Sequence, residues 1–289
     1  MITYSATLDV PTDTATLLTD LLIAERRRRG TGIGARAATC RTQAILVLRW
    51  FREDTGMPTL ARDAGVSPAT GYRYLHEGID VLAARAPDLH SVLEQGNAAG
   101  WSHVVLDGTL IATDRCRATH PDTGHDLWYS GEHRAHGGNV QVLCDPEGFP
   151  VAVSDAQPGL MHDIAAARAT GFLDAVHAAA ALLGLPALAD KGYHGAGIGV
   201  HTPAKGARLT PSTSTRNQLL TWLRTEGERG IALLKTRWKA LRHVRLCPQR
   251  IGAIAAAALV LTPPTDQSVE NTSVPAAVRR SHHVAGLTG

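Results

Sequence analysis

Two short apolar runs, each closing on an aspartate, constrain this chain more than any other feature. Val104-Val105-Leu106 leads into Asp107 and Gly108, and Leu185-Pro186-Ala187-Leu188-Ala189 leads into Asp190, Lys191 and Gly192. Apolar runs this short, bounded by turn formers, read as buried strands. Between them lie Leu110-Ile111-Ala112, Val140-Gln141-Val142-Leu143 and Val151-Ala152-Val153, with a turn at Asp145-Pro146-Glu147-Gly148. A stretch of helical pattern then runs from Ile164 to Leu183. Three antiparallel strands, a helix, a strand and further helices predict an α/β nuclease-like core. Neither a G-x-G-x-x-G nor a Walker sequence is present, so a Rossmann domain and a nucleotide cofactor are not expected.

Carboxylates at strand ends are held rigidly at the rim of a sheet. A third, brought across that rim by a helix, completes a site for divalent ions. Glu228 has that position, in a basic segment of helical pattern running from Gln218 to Leu246, and Glu226 is its rival. Hard oxygen ligands suit Mg²⁺ or Mn²⁺. With two such ions, one activates the attacking oxygen of an in-line phosphodiester displacement and the other stabilises the leaving oxygen.

Charge is distributed to match. The net charge is only +3, yet residues 101–200 carry eleven acidic and five basic side chains, and residues 201–250 carry eleven basic and two acidic. A carboxylate-rich middle followed by a basic segment suits a protein that binds metal ions and grips a polyanion, although two solvated faces of opposite sign would give the same count. Within the basic segment Lys235, Arg237, Lys239 and Arg242 are candidate phosphate contacts, with Arg245 beyond them. Trp222 and Trp238 could stack on an unpaired base, but a packing role is the favoured reading for each.

The first hundred residues have a different character. Residues 1–37 form an N-terminal helical and basic segment, with Arg26-Arg27-Arg28-Arg29 before a glycine-rich break. Residues 38–98 read as a small all-α module. In it, a short helix bearing Leu60, Ala61 and Ala64 stops at Gly65, Val66 fills the angle, and Ser67-Pro68 opens a second helix. This is the pattern of a helix-turn-helix, with Tyr72 and Leu75 expected inward and Ala69, Thr70 and Arg73 expected outward toward the major groove.

The order and wording of five segments resemble the DDE-superfamily transposases of bacterial insertion sequences, in the group related to Harbinger elements. These are Leu106-Asp107-Gly108-Thr109, Tyr129 to Val142, Pro158-Gly159-Leu160-Met161-His162-Asp163, Ala189 to Gly195, and Gly227-Glu228-Arg229 through Lys235. The resemblance implies an RNase H-like catalytic domain at residues 99–262, a mixed sheet flanked by helices. It also implies Asp107, Asp190 and Glu228 as catalytic and metal-binding residues for two Mg²⁺ or Mn²⁺ ions. Asn139, His162 and Asp163 match the family's wording as groups that orient the carboxylates or contact DNA; for the last two, a helix-capping role is the competing reading. The implied function is metal-dependent cleavage and strand transfer at the terminal inverted repeats of a mobile element, on double-stranded DNA, by at least a dimer. The alternative is a transposase-derived DNA-binding protein without catalysis.

The remaining features are expectations of a plainer kind. His120, His125, His133 and His136 have irregular spacing and no nearby cysteine, so they read as a polar hairpin near DNA with Arg134 as its phosphate contact, not as a zinc site. Cys40, Cys116, Cys144 and Cys247 lie far apart and suggest reduced thiols in a bacterial cytoplasm. No run of 18 apolar residues is present, so no membrane span is expected. Residues 263–289, rich in Pro, Thr, Ser and Val, read as a disordered tail.

Overall fold

The structure, a computed structural model, describes residues 7–32, 34–206 and 209–262; the tail expected at 263–289 lies outside the described residues. The N-terminal third is helical: α1 (Thr12–Arg28), α2 (Cys40–Glu53), α3 (Met57–Asp63), α4 (Pro68–Ala83) and α5 (Leu89–Ala98). Helix α3 turns into α4 through Gly65, at φ 66°, with the Val66 amide closing back on the Ala61 carbonyl at 2.9 Å. The Ser67 hydroxyl then accepts from the Thr70 amide, and Pro68 occupies the first helical position. The two helices meet at Gly71, where a Cβ would fall 2.5 Å from the Met57 sulfur.

Tyr72 corrects an expectation. It is 44% exposed, whereas Tyr74 and Leu75 are buried. The inward stripe of α4 is Gly71, Tyr74, Leu75, Gly78, Ile79 and Leu82, the i, i+3, i+4 rhythm of one helix face, and position 72 lies about 100° off it. Much of the arginine run is likewise engaged at home. Arg28 and Arg29 pair with Glu25, whose carboxyl is held down at about 2, and Arg26 donates to the Ala38 carbonyl and to Gln43.

The second half is built on a mixed sheet. Its strands are β1 (Val104–Thr113), β2 (Tyr129–Ser130), β3 (Ala135–Cys144), β4 (Pro150–Val153), β5 (Gln157–Pro158), β6 (Ala187–Leu188), β7 (Val200–His201) and β8 (His243–Val244). The central order is β4-β3-β1-β6-β7. β1 and β3 are antiparallel, as are β3 and β4, while β6 runs parallel to β1 and β7 parallel to β6. β8 joins the far end of β1 in parallel. Helices α6 (Asp163–Ala169) and α7 (Phe172–Leu183), α8 (Pro211–Arg237) and α9 (Ile251–Val260) complete the described chain.

Alternation along β1 sorts the helices onto two faces. Val104 and Leu106 pack with Phe172, Leu173 and Val176, whereas Val105 packs with Val142, Cys144 and Ile231 of α8. This is a mixed sheet flanked by helices, consistent with the RNase H-like arrangement expected.

The basic segment corrects a second expectation. Helix α8 begins at Pro211, behind the cap Thr210, and stops at Arg237, instead of running from Gln218 to Leu246. Trp238 leaves helical geometry at φ −116°, ψ 94°, and a 3-10 turn over Lys239–Leu241 and strand β8 follow. The cause is the indole. Trp238 is fully buried, packs edge-on to Phe51 of α2 and donates to the Thr262 hydroxyl at 2.7 Å, so the chain turns inward to place it. That burial also removes Trp238 as a base-stacking candidate, while Trp222 stays 70% exposed on α8.

One hydrophobic cluster joins α1, α2 and α4 to α9, Trp238, Ile111 and Val140. The domain boundary expected near residue 99 falls between α5 and β1, but packing runs across it. Helix α9, Ile-Gly-Ala-Ile-Ala-Ala-Ala-Ala-Leu-Val, is apolar on every side and is covered by α4 on one side and the sheet on the other. Among the described residues no helix is long and apolar enough to cross a membrane, and the four cysteines are free thiols.

Candidate active site

Strand pairing brings the segments of the first two carboxylates together. Val104 and Val105 pair with Ala187 and Leu188 of β6. β6 ends two residues before Asp190, so Asp190 follows the strand that is the parallel neighbour of the one bearing Asp107. Asp190 caps the 3-10 turn Lys191–Tyr193, its Oδ1 accepting the Gly192 amide at 2.7 Å. Asp107 is pushed up to about 6. Burial is the main cause, the charge of Arg224 on α8 opposes it, and the charges of Asp190 and Asp163 add to it.

Asp163 thus belongs to the cluster. It opens α6, yet its carboxylate is turned toward the sheet, where Asn139 Nδ2 donates to Oδ1 at 2.6 Å. Gly108 makes the room, since a Cβ there would lie 2.4 Å from the Asp163 carboxyl carbon. Burial raises the Asp163 carboxyl, against the pull of the Asn139 amide. Asn139 is buried on β3 and also donates to the Met161 carbonyl at 3.1 Å. His162 is the N-cap of α6 but makes no side-chain cap bond. A cleft of about 480 Å³ opens beside this group, lined by Leu110, Glu132, His133, Leu160, His162 and Asp163 among others.

Helix α8 lies across the other face of β1. A Cβ on Gly227 would fall 2.3 Å from Val105 Cγ1, and one on Gly230 would fall 2.5 Å from the Gly148 carbonyl oxygen, so these glycines let the helix rest on the sheet. Glu228 follows Gly227 and is exposed. Glu226 sits over the β3–β4 turn, with its backbone against Gly148, and pairs with Arg229 at 2.5 Å. Lys235 was expected at DNA, but its Nζ donates to Thr109 Oγ1 at 2.7 Å and to the Leu110 carbonyl at 3.0 Å. Burial lowers its pKa. Lys235 therefore ties α8 to β1, two residues beyond Asp107.

The other basic candidates part company after Trp238. Arg237 lies over the Trp238 ring, its guanidinium carbon 5.6 Å from the centroid, and the exposed Arg242 donates to the Lys235 carbonyl. Lys239 is exposed, and Arg245 pairs with Asp54. Arg134 is exposed in the β2–β3 turn, in left-handed geometry at φ 52°. At the start of α4, Ala69 and Arg73 are exposed and Thr70 is half-buried, with the Arg73 guanidinium donating to the Thr70 hydroxyl. Of the four histidines, His136 contacts Asp126 at 3.1 Å.

Arg224 is the site residue that sequence reasoning missed. Its Nε is buried without a hydrogen-bond partner among the described residues, while its charge acts on Asp107. The signal was available, because Arg224, Glu228 and Lys235 are spaced by four and seven and fall on one stripe of a helix. Among the described residues, no three His, Cys, Asp or Glu side chains are already gathered closely enough to hold a metal ion.

With this geometry described, comparison with known proteins is decisive on one point. The family described as DDE superfamily endonuclease matches residues 106–262, more than half of the chain. The chain belongs to the DDE superfamily endonucleases. The matched range opens at the residue before Asp107 and takes in Asp163, Asp190 and Glu228. A solved structure of the Mos1 transposase paired-end complex with left transposon end is 13% identical, covering 75% of this chain and 78% of that one. Its TM-score of 0.21 is too low to support a structural argument. No curated protein matches.

Proposed function

We propose that this DDE endonuclease is a transposase that cuts and joins DNA with divalent metal ions held by Asp107, Asp190 and Glu228. The observation that carries the reading is that the strands leading to Asp107 and Asp190, β1 and β6, are parallel neighbours within the matched domain. Burial, with the charges of Asp190 and Asp163, raises the Asp107 carboxyl, a cost that a bound hard divalent cation would relieve. Bound there, Mg²⁺ or Mn²⁺ would supply charge stabilisation at the attacking and leaving oxygens of an in-line displacement. Glu228 would join by a side-chain reorientation from its exposed position on α8, and Arg224 beside it places positive charge where a phosphate enters. The 480 Å³ cleft lined by Asp163 is where we place the approaching strand.

The exposed start of α4 is the surface we assign to the element's ends, with Ala69, Thr70 and Arg73 toward the major groove. Arg134, Lys239 and Arg242 remain as phosphate contacts; Lys235 leaves that group for the reason given above, and Arg237, resting on Trp238, is a weaker candidate. Pairing two ends requires at least a dimer on DNA, in a bacterial cytoplasm. Arg73→Ala is expected to weaken binding to the terminal repeat about tenfold more than binding to random duplex, in a gel-shift titration at fixed salt. Equal losses on both would reduce Arg73 to a phosphate contact.

The test of the activity is incubation of an end-labelled duplex carrying the element's own terminus with Mg²⁺ or with EDTA. Cutting at the end with Mg²⁺ alone, and joining of a precut 3′-end into plasmid, supports the transposase. Cutting without joining makes the protein a nuclease. Tight binding with no cutting, in folded protein, would favour the non-catalytic DNA-binding alternative.

A further inference from the structure

We propose that Tyr193, Gln141 and Asn139 are positioning residues: a one-way hydrogen-bond chain that holds Asp163 against Gly108, next to Asp107 in β1, from where Asp163 adds an oxygen ligand to the metal site. The proposal rests on the divalent-metal reading of Asp107 and Asp190. It extends that reading to a fourth carboxylate and to the buried groups that aim it.

The direction of the chain follows from chemistry. Asn139 Nδ2 contacts the Met161 carbonyl at 3.1 Å, and a carbonyl only accepts, so the amide nitrogen faces Met161 and Asp163 together. The Asn139 Oδ1 therefore points the other way and takes the Gln141 amide nitrogen at 2.9 Å. This leaves Gln141 Oε1 facing the Tyr193 hydroxyl at 2.5 Å, which must donate. Every polar atom along the line has a partner of the opposite kind, and reversing any one amide would set two donors or two acceptors face to face. Such a fully satisfied buried chain is stiff. Gln141 and Tyr193 are completely buried and Asn139 nearly so.

Topology shows what the chain connects. Asn139 and Gln141 stand opposite Leu110 and Gly108 of β1, on the face where the missing Gly108 side chain admits Asp163. Tyr193 ends the turn that Asp190 caps. The segments carrying Asp163 and Asp190 are thus joined through the side chains of β3, the strand paired with the one that bears Asp107. A plain first-turn acid would face the free amides of its own helix; Asp163 instead accepts from a strand across the sheet.

The test measures Mn²⁺ binding to the full chain by the paramagnetic resonance signal of free Mn²⁺. Asp163→Asn is expected to weaken binding tenfold or more, and Tyr193→Phe about tenfold, within the range for groups that orient ligands. In the Asp163→Asn background, Tyr193→Phe should cost nothing further, because its effect passes through that carboxylate. If Tyr193→Phe does not fold, Gln141→Met cuts the chain at the next link and takes its place in the same cycle. Asp163→Asn binding like wild type, while Asp107→Asn does not bind, would reduce Asp163 to a helix-end acid and overturn the proposal. Losses that simply add in the double variant would overturn the chain. If Asp107→Asn also binds like wild type, the metal reading itself fails, a result separate from the other two.

Discussion

Asp107→Asn is expected to abolish metal-dependent cutting while making the metal-free protein more stable. The loss of activity should be roughly three orders of magnitude or more, equivalent to about 4 kcal/mol of barrier, because a ligand to the charge-stabilising ions is gone. The gain in stability has a separate cause. Folding takes the Asp107 carboxyl from an ordinary 3.8 to about 6, chiefly by burial. A carboxylate whose pKa is raised by folding favours the folded state below its unfolded pKa and loses that contribution as pH rises through the folded value. At pH 8 the wild-type chain bears the full cost of the buried charge, about 1–3 kcal/mol after allowance for partial solvation, and the asparagine variant does not. Thermal unfolding in EDTA should therefore show the variant ahead at pH 8 and level with wild type near pH 4. Adding Mg²⁺ should raise the wild-type midpoint and leave the variant unmoved. A variant less stable than wild type at pH 8 without metal would mean that Asp107 is a structural acid.

The second large effect is expected from Gly227→Ala with Gly230→Ala. Helix propensity alone favours these changes, by about 1 kcal/mol each. The sheet beneath opposes them more strongly. The new methyl groups would meet Val105 Cγ1 at 2.3 Å, and the Gly148 carbonyl and Cys144 sulfur at 2.5 and 2.6 Å. Val105 is a stiff β-branched side chain in a central strand and Gly148 O is backbone, so neither gives way easily. Overpacking costs about 1–3 kcal/mol per site, which leaves a net destabilisation of up to about 4 kcal/mol for the pair once propensity is subtracted. Relief comes by lifting α8, and with it Arg224 and Glu228. A displacement of about 1 Å at a reacting centre costs on the order of 10²-fold in rate. Single-turnover cleavage should therefore fall about a hundredfold at a temperature where circular dichroism still reports a folded protein. Unchanged turnover would show that α8 does not carry groups of the reaction.

The parts of this fold that are legible in the sequence are those where one residue has one job. Asp107 and Asp190 stand out because an apolar run needs a reason to end on a charge, and the α3–α4 turn because Gly65, Ser67 and Pro68 each answer a separate backbone requirement. Asp163 is less legible, since an acid in the first turn of a helix is ordinary and nothing local says that the carboxylate faces the sheet. Lys235 lies on a helix as expected, but its contacts with Thr109 and the Leu110 carbonyl were not legible, because an amine that satisfies a strand carbonyl reads, in sequence, like one that meets a phosphate. The break at Trp238 is hidden for a similar reason: helical periodicity continues through Lys239 and Arg242, and only the pocket formed by Phe51 and Thr262 explains why the chain leaves it. Strand β7 is two residues long and exists by pairing with β6, which no local pattern could announce.

The core shared by α4 and α9 has a consequence for how such a protein finds its point of cutting. Because α4 is packed into the same apolar mass as Trp238, Ile111 and Val140, its exposed N-terminal turn stands at a set distance and angle from the strand that bears Asp107. Among the described residues, α4 is joined to that strand by packing and not by a tether. On the function proposed here the protein would work as a ruler: the number of base pairs between the recognised sequence and the broken bond would be laid down by side-chain packing, and a loosened core would blur the position of the cut before it lost the ability to make one.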